Sequence, residues 1–166
     1  MTELMNQFAA TNPTNPTESI DMRLIEAVQF NLNDDTTRVA QLIADGANPN
    51  AVDDDGDTPL NYACVEGDDS RAVITLLLEK GADPNMASGE DRDTPLGHVA
   101  LNASANLVKI LIDYGANISM DNGYGHNPLG LSVIGDRIEN TTLLLAKGAD
   151  INSANKYGDT PLILAA

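Results

Sequence analysis

Tryptophan is absent from this sequence, and the only other aromatics are two phenylalanines and four tyrosines. A core must therefore be aliphatic. Cys64 is the single cysteine, so no disulfide can form within the chain, and a reducing compartment is the natural setting. Bases are scarce. Nine lysines and arginines stand against 25 acids, for a formal net charge of −16. Direct binding to nucleic acid or to an anionic membrane is not expected, because phosphate contacts need lysine and arginine. No apolar run approaches the roughly 18 residues that would suggest a membrane span. The first ten residues, MTELMNQFAA, lack a basic start and carry Glu3, unlike a secretory signal. A cytoplasmic location is expected.

What the chain does have is 42% hydrophobic residues over 166 positions, enough for one domain with a core. It also has crowded acids. The stretch NAVDDDGDTPLNYA, residues 50–63, sets four aspartates around one glycine. A helix-loop-helix calcium site needs oxygen ligands at loop positions 1, 3 and 5, glycine at 6 and a bidentate glutamate at 12. With Gly56 at position 6, positions 1 and 12 are Ala51 and Tyr62. No calcium site is expected here.

Self-comparison gives a better explanation. TPL occurs at 58–60, 94–96 and 160–162, and NPL stands at 127–129. The prolines are spaced 36, 33 and 33 residues apart. A second word, GANPN from Gly46, returns as GADPN, GANIS and GADIN from Gly81, Gly115 and Gly148. Two words with one period mark a repeat array. Thr58, Thr94, Asn127 and Thr160 suit helix N-caps, and the prolines suit the first helical position. The GA-N glycines follow aliphatic stretches, where a left-handed residue ends a helix. Gly56, Gly125 and Gly158 fit tight turns. Each unit reads as turn, short helix, turn, longer helix. Neither helix can bury its apolar face alone, but stacked neighbours can.

These words make the sequence resemble the ankyrin-repeat family over residues 19–166. The resemblance implies an all-α solenoid of helix-turn-helix units with β-hairpin fingers. Repeats are expected at about 19–52, 53–85, 86–119 and 120–152, with a half repeat at 153–166. Residues 1–18 are expected to be a flexible leader, in which Leu4, Met5 and Phe8 have rough helical spacing. The acidic run at 53–57 becomes a solvated finger tip.

Several positions depart from the family pattern. The first repeat has Met22, Arg23 and Leu24 in place of TPL and reads as a cap. The second carries an insertion near Gly67, Asp68 and Asp69. The third has a longer finger with Arg92 in the glycine position. Asn140 and Thr141 replace two aliphatics, which should weaken that helix. The histidine of the family's TPLH word is replaced by Asn61, Gly97, Gly130 and Ile163, so its hydrogen bond with threonine should be missing. The last helix, ending in Ile163 and Leu164, lacks a second helix to cover it. A fragment of a longer array is the favoured expectation, with a minimal lid as the alternative.

No catalytic, cofactor-binding or metal site is expected. His98 and His126 carry no metal-ligand spacing. Cys64 fits a small buried hydrophobe. GLSVIG at 130–135 has one residue too many for a nucleophile elbow, and GYGHN at 123–127 lacks the third glycine of a dinucleotide loop. Carried over from the family, the concave binding face comprises Asp54, Asp55, Asp57, Val65 and Glu66, then Glu90, Asp91, Asp93, Leu101 and Asn102. It continues through Tyr124, His126 and Ile134 to Lys156, Tyr157 and Asp159, with Gln29 and Phe30 at its start. Twelve of the 25 acids lie between Asp53 and Asp93, against Arg71, Lys80 and Arg92. The expected function is non-catalytic binding of a protein partner with a basic patch. An ordinary solvated acidic surface is the plain alternative for these acids. The alternative function is a targeting or recruitment piece of a larger effector or enzyme. A monomer is expected, with dimerisation through the last helix as the variant.

Overall fold

Short polar residues start most of the helices, as the repeated words require. The computed structural model describes residues 19–31 and 35–166. Among these it contains nine α-helices and one 3-10 turn. They are α1 (Ile20–Gln29), α2 (Thr36–Ala44), α3 (Pro59–Glu66), the 3-10 turn (Gly67–Ser70), α4 (Arg71–Glu79), α5 (Pro95–Asn102), α6 (Ala105–Asp113), α7 (Pro128–Ile134), α8 (Ile138–Ala146) and α9 (Pro161–Leu164). The leader expected at 1–18 and part of the α1–α2 turn lie outside the described residues. No described helix is long and apolar enough to cross a membrane.

Thr58, Thr94 and Asn127 accept the amides of Asn61, Gly97 and Gly130 at 3.1, 3.0 and 2.9 Å. Proline follows each of these caps, where no amide partner is needed. Thr160 takes the cap position of α9 but makes no side-chain cap. That helix is a single turn, which holds its backbone weakly. The first helix starts one turn earlier than the alignment implies. Its cap is Ser19, whose Oγ accepts the Met22 amide at 3.1 Å, because serine caps well and methionine does not. Leu24 still takes the place of Leu60, and both are sealed from solvent.

The expected glycines end the second helices. Gly46, Gly81, Gly115 and Gly148 have φ of 107°, 90°, 92° and 94°, the left-handed turn that lets the next amide fold back. The amides of Ala47, Ala82, Ala116 and Ala149 then reach the carbonyls of Leu42, Leu77, Leu111 and Leu144.

The first helices α1, α3, α5, α7 and α9 pack in one row, and behind them α2 packs on α4 and α6 on α8. Leu60, Leu77, Leu96, Leu107, Leu111, Leu129 and Leu144 join one aliphatic cluster and are at most 1% exposed. Cys64 is fully buried in it, and burial raises its thiol pKa. At the last helix, Leu162 is 78% exposed and Ile163 55%.

Polar side chains tie the helix pairs together. Asn50 accepts the Asp83 amide at 2.7 Å and donates to the Gly81 carbonyl at 2.9 Å. Asn85 does the same with Asn117 and Gly115, at 2.8 and 3.1 Å. The equivalent residue in the third unit is Ser119, which is too short for this double contact. The insertion in the second unit is the 3-10 turn, and it has a use. Its Asp68 accepts from the amide and hydroxyl of Ser104 at 2.8 and 2.6 Å.

Asn140 has a role that the expectation of a weakened helix did not include. The α8 helix forms through it, and Asn140 is 1% exposed. Its Nδ2 donates to the carbonyls of Ala100 and Ala103 at 3.0 and 2.9 Å. These groups close the end of α5, where water does not reach. The missing threonine–histidine bond is corrected in one unit: the Thr58 hydroxyl donates to Asn61 Oδ1.

Two predictions follow from this packing. In urea melts, Leu96→Ala should cost about 2–5 kcal/mol, the usual range for a buried leucine, whereas Leu162→Ala should cost far less. Equal losses would contradict the open last helix. Asn140→Leu restores an aliphatic residue yet should destabilise by about 1–3 kcal/mol, because buried carbonyls lose their partner. A gain in stability would show that those carbonyls need no donor.

Candidate protein-binding site

The fingers are shaped by their own first residues. Asp53 Oδ1 accepts the amides of Asp55 and Asp57 at 3.1 and 2.9 Å. Asn122 does this for Tyr124 and His126, both at 3.0 Å. Asn155 does it for Tyr157 and Asp159, both at 2.9 Å. Each of these three fingers is thus a closed loop around an Asx side chain. The second finger is longer and is closed by an antiparallel bridge between Ser88 and Asp93, with Arg92 at φ 53°. That is the one β bridge among the described residues.

Asp53 therefore has a structural task. Its Oδ2 accepts from the Tyr62 hydroxyl at 2.7 Å. Burial opposes its charge, but the hydrogen bonds from Tyr62 and from the amides of Asp57, Asp55 and Gly56 outweigh this and hold its pKa below the ordinary value. The same bond, with burial and the nearby carboxylates, raises the Tyr62 pKa. The first aspartate of the acidic run makes the loop, and the others are presented by it.

The first two fingers meet. A methyl group built on Gly89 would come within 4.0 Å of Asp57 Oδ1. Between them lies an open cleft of about 270 Å³. Asp57 lines it from one finger, and Glu90, Asp91 and Asp93 from the other. Asn61, Tyr62, Val65 and His98 line it from α3 and α5. No lysine or arginine is among its lining residues.

The expected face divides in two. Asp57, Glu90, Asp91 and Asp93 share the cleft, and Val65 borders it. Asp54 and Asp55 are exposed on the first finger, and Glu66 and Asn102 are exposed at the ends of α3 and α5, outside the cleft. Tyr124 joins the second finger by donating to Asp91 Oδ1 at 2.8 Å, and Asn122 donates to Asp93 Oδ1 at 2.8 Å. The bond to Asp91, with that residue's charge, raises the Tyr124 pKa. Lys156 is drawn toward the third finger, its Nζ donating to the Gly123 carbonyl and its amide to that of Tyr124. Tyr157 is 72% exposed. His126 is half-buried, and its ring Nδ1 has no partner. Asn61 and Tyr62 were not legible as cleft residues. Their one signal was position, directly after the TPL word.

A family model for ankyrin repeats, in three copies, matches residues 24–122 and 102–166. The chain belongs to the ankyrin-repeat family. As an ankyrin-repeat array, it is a module for protein–protein interaction. It is 38% identical over 97 residues to Ankyrin repeat and SOCS box protein 16 of Mus musculus, covering 55% of this chain and 21% of the relative. It is 42% identical over 74 residues to Ankyrin repeat and SOCS box protein 9 of Homo sapiens, covering 45% and 24%. It is 35% identical over 83 residues to Ankyrin repeat and KH domain-containing protein mask-1 of Caenorhabditis elegans, covering 49% and 3%. The matches span less than a quarter of these relatives' own length.

His98 yields a pH prediction. Burial lowers its pKa below 6.5, while the carboxylates of Asp93 and Asp57 pull it upward. The folded value lies below the unfolded one, so the unfolded chain takes the proton first. The stability contributed by the neutral ring is present above about pH 6.5 and declines as pH falls through that value toward the folded pKa. As pH falls through about 6.5, wild type should lose stability relative to His98→Leu in urea melts. Identical losses would assign the pH dependence to other groups.

Proposed function

We propose that this ankyrin array, with unit boundaries where the sequence periods place them, is a non-catalytic binding module. Its concave face takes a basic segment of a partner protein. The observation that carries this reading is the cleft, where Asp57, Glu90, Asp91 and Asp93 converge without a lysine or arginine. Two ion pairs occur among the described residues, Arg71–Asp68 and Lys109–Asp113, and neither is at the cleft. Crowded like charges raise the energy of the fold, and a cationic partner relieves that repulsion. The same charge disfavours direct contact with nucleic-acid phosphate. Asp54, Asp55 and Glu66 extend the acidic field around the cleft and steer the encounter. Asn102, Tyr124, His126, Lys156 and Tyr157 supply contacts further along the face, tyrosine being a frequent interface anchor.

A second reading rests on the relatives, whose names join ankyrin repeats to a SOCS box or a KH domain. In that reading this module recruits the partner for a larger protein. Sequencing the transcript beyond the codon for Ala166 separates the two readings.

The test is affinity capture from host lysate at low and moderate salt. The baits are wild type and Asp54→Lys/Asp55→Lys/Asp91→Lys. The expected outcome is a basic partner held by wild type and lost with the triple variant or with added salt. A partner retained under both conditions would move the site to the Tyr124–Tyr157 end of the face.

A further inference from the structure

The cleft holds one group that the acidic reading does not use. Asn61 is 1% exposed and lines the cleft. Its Oδ1 accepts from the Thr58 hydroxyl, but its Nδ2 has no hydrogen-bond partner. A buried amide donor left unpaired is unfavourable, so a ligand that brings an acceptor is favoured there. No carboxylate or other acceptor among the described residues lies within hydrogen-bond distance of it. The acceptor must come from outside, in the same ligand that brings a cation to Asp57, Glu90, Asp91 and Asp93.

We propose that this cleft is a receptor for one arginine residue of an extended partner segment, with the guanidinium among the finger carboxylates and a backbone carbonyl accepting from Asn61 Nδ2. The inference rests on the binding reading above and adds the residue recognised. Size supports it: about 270 Å³ is below the usual range for drug-sized ligands and suits one long side chain. Shape supports arginine over lysine. Carboxylates approach from two fingers, which suits a planar fork with five donors better than a point charge. Tyr62 and Val65 also line the cleft, and guanidinium stacks on aromatic faces more readily than the strongly hydrated ammonium. Arg92, the one base of the second finger, is not among the lining residues.

The test is titration of the full chain with N-acetyl-arginine N-methylamide, its lysine and citrulline counterparts, and ethylguanidinium, followed by two-dimensional amide NMR. The arginine derivative should give saturable shifts at Asp57, Gly89 and the Asn61 side-chain amide. The lysine derivative should bind about tenfold more weakly or worse, and the neutral citrulline derivative should give no shifts. Ethylguanidinium, which lacks a carbonyl, should move the Asp57 signal and leave the Asn61 side-chain amide in place. Asp57→Asn/Glu90→Gln, with unchanged spectra elsewhere as the folding control, should weaken the arginine derivative at least about tenfold. Equal binding of the arginine and lysine derivatives, or shifts confined to Asp54 and Asp55, would overturn the proposal. Capture of the partner by Asp57→Asn/Glu90→Gln at wild-type strength would overturn it while leaving the basic-partner reading intact. Saturable arginine shifts with no basic protein captured would instead count against that reading alone.

Discussion

A buried helix end presents carbonyls that its own helix cannot satisfy and water cannot reach. In a stacked array this constraint recurs at every joint, because each helix pair covers the ends of the pair before it. The leucine layers make the stack favourable, and the polar ties make it possible to bury what lies between the layers. Asn140 meets this constraint in the interior, and Arg137 extends the tie to the exposed edge of the same helix end. Arg137 donates to the carbonyls of Leu101 and Asn102 at 3.2 and 2.8 Å, so the following unit supplies donors to four carbonyls at the end of α5.

The binding face follows from a second local device. An Asx side chain at the start of a finger gathers that finger's amides, and the remaining carboxylates then point where the loop places them. Asp57 and Asp93 are half-buried at the roots of adjacent fingers, while Asp54 and Asp55 project at a tip. Acids of similar sequence context thus meet different surroundings. The difference depends on whether a neighbouring finger stands beside them.

Much of the fold was legible because its signals are local and repeated. Pro59, Pro95 and Pro128 announce helix starts, and the GA-N glycines announce helix ends, whatever packs around them. The gaps were at residues whose role lies in another unit. Asn140 looked like a flaw within its own helix, since its three carbonyl partners are some 40 residues away in sequence. Asn61 looked like a lost histidine, since its hydroxyl partner can be inferred only from the fold of the turn. The cleft combined both difficulties: its acids were visible as a charge cluster, but its floor is made of residues that read as ordinary helix positions.

The joints are not alike. The first two carry the asparagine rung, the second adds Asp68 to Ser104, and the third replaces the rung with Arg137 and Asn140. The leucine faces are nearly interchangeable and would accept any neighbour. The ties differ: Asp68 belongs to an insertion in the second unit, and Arg137 and Asn140 to the fourth, so a unit moved away would leave Ser104 or the end of α5 without these partners. Each joint of this array is therefore marked by its own polar contacts, a difference that hydrophobic packing alone does not contain.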